Sequence, residues 1–144
     1  WVTGGGAELM EELPVTNSQV VNTNQWNISS PSEMSPGDTA YANYSVCELD
    51  EGYNMRQVYD LYVDMAKYAK SVGDTVGRKM IVPLAGHSLP EGKDFVRLMY
   101  TSSISAMGVN AELFWDKIYD SEAAQNLKGF SCSNANTYVG AIMR

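Results

Sequence analysis

Between Asn54 and Gly73 the apolar residues Val58, Tyr62, Met65, Ala69 and Val72 recur at spacings of four, three, four and three. This is the repeat of one buried face on an amphipathic helix. Asn54 has the side chain of a helix N-cap, Gln57 stands where a capping-box partner belongs, and Gly73 supplies a left-handed stop. Arg56, Asp60, Asp64, Lys67 and Lys70 fall mainly on the wet side. A different pattern brackets this helix. Ala40 to Leu49 is rich in Tyr and Val and lies between the turn formers Pro36-Gly37-Asp38 and Asp50-Glu51-Gly52, which predicts a strand. Arg78 to Leu84 and Asp94 to Tyr100 read as two more strands, and Pro83 removes one ladder donor, which places it at an edge or a strand end. The intervening Gly- and Pro-containing stretch is a loop. A second helical region is expected over Ala111 to Tyr119 with Asn110 as its cap, then over Ser121 to Lys128 up to Gly129, and Phe130 to Met143 closes as a strand.

Strand, helix, strand, strand, helix, strand is the split-βαβ pattern, so the expected fold is α+β, a ferredoxin-like βαββαβ sandwich on an antiparallel sheet. In that topology the first and last strands are antiparallel neighbours. Cys47 lies near the end of the first and Cys132 near the start of the last, which brings together two residues 85 positions apart in sequence. A Cys47–Cys132 disulfide is therefore expected, with two buried free thiols as the alternative.

The domain proper occupies residues 40–144, and residues 1–39 form an N-terminal segment. Val20 to Trp26 shares the spacing x-x-Asn-x-Asn-x-aromatic with Cys132 to Tyr138, and the surroundings of Trp1 echo those of Trp115. One reading makes the start of the chain the last helix and strand of a preceding copy of the domain. The other is coincidence within the Asn/Ser/Thr-rich stretch from Thr16 to Asp38, which reads as strand plus connector. The first residue is Trp1, which fits either a processed product or a piece of a longer frame; export to an oxidising compartment is favoured if the disulfide forms.

Composition narrows the function classes. With 144 residues, 44% hydrophobic and 19% charged, the chain can bury a real core. A net charge of −7 with no basic stripe argues against a nucleic-acid partner, and no apolar run approaches the roughly 18 residues of a membrane span.

The combination of Cys47-x-Leu49-x-x-Gly52 at the exit of the first strand, the long amphipathic helix, Trp115 in the second helical region and Cys132-Ser133 opening the last strand resembles the ferredoxin-like dimeric α/β-barrel superfamily. Within it, the chain is similar to small proteins of environmental, mainly marine, bacteria. The resemblance covers about residues 40–144. It implies that two sheets pack face to face, as a homodimer or as fused tandem copies, and related barrels include haem-degrading and cofactor-independent monooxygenases.

Candidate chemistry is sparse. His87 is the single histidine, which removes Cys/His zinc clusters and two-histidine metal sites, so neither metal nor cofactor is expected. Within Gly86-His87-Ser88 it is the candidate catalytic base or haem ligand, against the plainer reading of an exposed loop histidine. No Gly-x-Ser-x-Gly elbow exists, Gly4-Gly5-Gly6 lacks the Gly-Lys-Ser/Thr of a phosphate loop, and Glu48, Asp50, Glu51 and Asp60 lack the alternate-oxygen spacing of a calcium loop. What remains is an aromatic and methionine set from which a ligand pocket is expected: Tyr44, Tyr62, Met65, Met80, Tyr100 and Trp115, with ordinary core packing as the alternative. Three readings follow. The first is a homodimeric small-ligand-binding or accessory module taking a small apolar ligand. The second is a cofactor-independent or haem-linked monooxygenase-type enzyme using His87, and the third is a structural interaction domain.

Overall fold

The computed structural model describes residues 22–31, 34–85 and 89–141. They form an α+β fold: five antiparallel strands in one open sheet, with helices packed on one face. The strands are β1 (Asn22–Ser29), β2 (Thr39–Leu49), β3 (Gly77–Ala85), β4 (Phe95–Thr101) and β5 (Phe130–Ala141), and their order across the sheet is β1-β3-β4-β2-β5. The helix α1 (Met55–Ser71) joins β2 to β3, and α2 (Ile104–Leu113) follows β4. Next come a five-residue π-helical turn (Phe114–Ile118) and the single turn α3 (Glu122–Gln125), which lead into β5.

The helix α1 forms for the reasons visible in its sequence. Asn54 accepts a hydrogen bond from the Gln57 N–H at 3.0 Å, and Gln57 Oε1 accepts one from the Asn54 N–H at 3.0 Å, a complete capping box. Val58, Tyr62, Met65, Ala66 and Ala69 are buried. They pack on Ile28, Cys47, Met80 and Phe95, side chains from alternate positions of four strands, so one face of the sheet and one stripe of the helix close a single core. Pro83 pairs with Thr23 of β1 and lies beyond the last β3–β4 pair, Ile81 with Val96, so the missing N–H falls at the end of that ladder.

Cys47 and Cys132 stand directly opposite each other in the β2–β5 ladder, and their sulfurs are 2.02 Å apart. Two residues further along, the register slips between Tyr44 and Val46, where Asn134 adopts a φ of 51° in a β-bulge.

The second helical region departs from expectation. Its cap is Ser103, whose hydroxyl accepts from the Ala106 N–H at 3.0 Å, and the helix starts seven residues before the predicted point. Asn110 is therefore no cap but a buried residue within the helix. Local propensity hides this start: Ile104, Ser105, Gly108 and Val109 are weak helix formers on the exposed side, and the Ser103 cap and the buried Asn110 hold the helix instead. The predicted helix over Ser121 to Lys128 shrinks to α3, capped by Ser121. No described helix is long and apolar enough to cross a membrane.

Candidate functional site

Alternation along the strands decides which side chains can meet beneath the helices. With Cys47 and Phe95 facing the core, Ser45, Arg97 and Met99 face the same way, as do Arg78 and Met80 through their pairing with β4. Of these strand residues, Arg78, Arg97 and Met99 form the floor of a cavity of about 330 Å³. Tyr62 and Met65 of α1 and Met107 and Asn110 of α2 wall it, with Phe114 and Trp115 of the π-helical turn and Leu127 completing the rim. The lining is chiefly apolar, with a few convergent polar groups, the composition of a small-molecule site.

The π-helical turn sets the aromatic wall. Its closing bond runs from the Tyr119 N–H to the Phe114 carbonyl at 2.8 Å, one residue wider than an α-turn. Phe114 and Trp115 meet edge to face with centroids 5.3 Å apart, and Tyr119 lies 4.9 Å from Trp115 on the outer side. Trp115 keeps 64% of its surface exposed, which places it at the mouth.

At the floor two arginines differ sharply. Arg78 is 4% exposed and forms a two-pronged ion pair with Asp74, at 2.7 and 2.8 Å, and also donates to the Val76 carbonyl. Burial opposes its charge, but the hydrogen bonds and charge of Asp74 and the neighbouring Tyr62 together raise its pKa above the ordinary value. Asp74 also accepts from the Val76 N–H, and Asn110 bonds to Thr75, so the turn that carries the pair is held from both sides. Arg97 has no such carboxylate: among the described residues none lies within ion-pair distance of it. Its Nη2 reaches Ser45 Oγ at 3.4 Å, and its Nε is buried without any partner. Burial raises the pKa of the Tyr62 hydroxyl, against the lowering influence of the Arg78 and Arg97 charges.

Of the pocket residues expected from sequence, Tyr62, Met65 and Trp115 share this cavity. Met80 is fully buried in the core beside it. Tyr44 and Tyr100 occupy the opposite parity of β2 and β4 and lie on the outer face of the sheet. There Tyr44 lines a shallower groove of about 510 Å³ with Val46, Val96, Asn136 and Tyr138, and its ring meets that of Tyr138 edge to face at 5.6 Å. Tyr100 packs over Gly77. His87 lies outside the described residues, as do Gly4-Gly5-Gly6 and the first part of the internal echo. Among the described residues no group of three or more His, Cys, Asp or Glu side chains is placed to hold a metal ion. Glu48 is paired with Lys93 at 2.9 Å instead. Reading the sequence alone missed Arg97, Asp74 and Asn110. A signal existed for the first: Arg97 is the one charged residue on the core-facing parity of an otherwise apolar strand.

No protein-family model matches the chain, and no curated protein or solved structure does so either.

Proposed function

We propose that the protein is a small-ligand-binding module of the ferredoxin-like, dimeric α/β-barrel type. The cavity of about 330 Å³ between α1, α2 and the sheet carries this reading, because it joins an apolar lining to a few fixed polar groups inside one domain. The strand order β3-β4-β2-β5, with α1 and α2 on one face, supports the ferredoxin-like assignment. Ile81, Val46, Val96 and Leu98 lie on the sheet face away from the helices. That face suits a second copy in a homodimer. The bonded Cys47–Cys132 pair supports maturation in an oxidising compartment.

Native mass spectrometry tests both parts. A dimer that releases a small molecule on collisional activation is the expected result. A bare chain, together with a crystal structure in which side chains fill the cavity, would overturn the ligand-binding reading. A strictly monomeric species at micromolar concentration would overturn the dimer and leave the cavity untouched.

A further inference from the structure

Three charges sit at the cavity, and only two of them cancel. Asp74 and Arg78 neutralise each other through two short hydrogen bonds, whereas Arg97 presents a guanidinium with a buried, unbonded Nε and one long contact to Ser45. A buried donor without an acceptor costs free energy, and the half-buried guanidinium that carries it has no carboxylate to balance its charge. Such a group persists where something that binds there completes it. The Nε and Nη2 edge of a guanidinium is a fork that matches the two oxygens of a carboxylate. Around it stand Met65, Met99 and Met107, flexible and polarizable side chains that accommodate varied apolar shapes, with Phe114 and Trp115 above them.

Given a ligand-binding cavity as proposed above, we infer that its ligand is an amphiphilic monocarboxylate, with the carboxylate on Arg97 and an apolar body against the methionines and the Phe114–Trp115 wall. One negative charge balances the site. A second would be left unpaired next to Asp74, and a neutral ligand, even one whose oxygen accepts from Nε, would leave the guanidinium without a counter-charge. The protein as a whole is acidic, so the preference comes from local pairing and not from long-range attraction.

Calorimetric titration with octanoate and with octan-1-ol, which share a chain and differ in the head, reads the inference directly. Octanoate should bind at least about tenfold more tightly than the alcohol, as one charge-assisted fork allows. Arg97→Met should abolish that preference, chiefly by weakening octanoate. Arg97→Gln should do the same, and Arg97→Lys, which keeps the charge without the fork, should fall between. Without ligand, Arg97→Met should melt at the wild-type temperature or above it, because it removes an unsatisfied donor. Equal affinity for octanoate and octanol would overturn the carboxylate and keep the cavity reading. Binding of neither would overturn both. A melting temperature lowered by several degrees in both Arg97→Met and Arg97→Gln would mean that the guanidinium holds the fold, and would overturn the assignment.

Discussion

Asn110 clasps Thr75 from two sides: its Oδ1 accepts from the Thr75 N–H at 2.8 Å, and its Nδ2 donates to the Thr75 hydroxyl at 2.7 Å. The same Nδ2 also donates to the Ala106 carbonyl one turn back, so a single amide locks α2 to the turn before β3. Replacing Asn110 by Asp keeps the acceptor but sets a carboxylate oxygen against the Ala106 carbonyl, and Asn110→Ala leaves the part-buried Thr75 N–H unpaired. Either substitution should cost about 2 kcal/mol, read as a lower urea midpoint with an unchanged slope.

The Asp74–Arg78 pair is a different case, because both partners are charged and their side chains are almost wholly buried. Asp74→Asn strands the guanidinium and should cost about 3–5 kcal/mol, close to the whole stability of a small domain. Replacing both partners together, as Asp74→Asn with Arg78→Met, should recover a large part of that loss in thermal melts.

Tyr62 links stability to alkaline pH. Its folded pKa is raised, chiefly by burial, so the neutral phenol is favoured in the native state and the full contribution is present below the ordinary tyrosine value of 10. Above about pH 10 the unfolded chain ionises first, and stability falls until the folded pKa is passed. Tyr100 adds a contribution of the same sign, also from burial. Chemical denaturation across pH 8 to about pH 11 should therefore show a declining midpoint, and Tyr62→Phe should flatten the decline.

The Cys47–Cys132 bond closes a loop of 85 residues, and its loss should cost about 4 kcal/mol in the chain-entropy account. Denatured, unreduced protein should show no alkylatable thiol. The double Cys47→Ala, Cys132→Ala variant should melt well below the oxidised wild type and at the temperature of the reduced one.

Gly77 makes a packing prediction that no titration touches. A Cβ built there would stand 2.5 Å from Tyr100 Cζ and 2.9 Å from Pro31 Cδ, so the tyrosine ring occupies the space a side chain would need. Gly77→Ala should cost about 1–3 kcal/mol, and pairing it with Tyr100→Leu should return part of that cost in urea melts.

How far the sequence revealed this molecule depended on whether the signal was local. The helix α1 was legible because seventeen residues repeat one period between a cap and a glycine, and every element of that signal lies within the helix itself. The disulfide was legible because the ends of β2 and β5, which the expected strand order sets side by side and which pair antiparallel, each carry a cysteine. The start of α2 was not, since Ile104, Ser105 and Gly108 are exposed weak helix formers, and the helix is fixed at its ends by the Ser103 cap and the buried Asn110. Asn110 misled for a related reason: an asparagine suits a helix cap and an interior clasp equally, and only the position of Thr75, 35 residues away, separates the two. The pocket was half legible. Composition alone grouped Tyr44 and Tyr100 with Tyr62 and Trp115, whereas alternation, anchored on a core-facing Cys47, would have sent Tyr44 to the other side of the sheet.

The π-helical turn makes the aromatic wall depend on chain length as well as on residue type. The turn holds one residue more than an α-turn between Phe114 and Tyr119, so removing one residue from within it would restore the ordinary repeat, keep α2 in register and re-aim the side chains inside the turn relative to Ile118, which is anchored in the core. Trp115, inside the turn, would change its angle at the cavity mouth with its identity intact. For descendants of this gene, a deletion of a single codon is thus a route to a new ligand preference that a comparison of lining residues would not register.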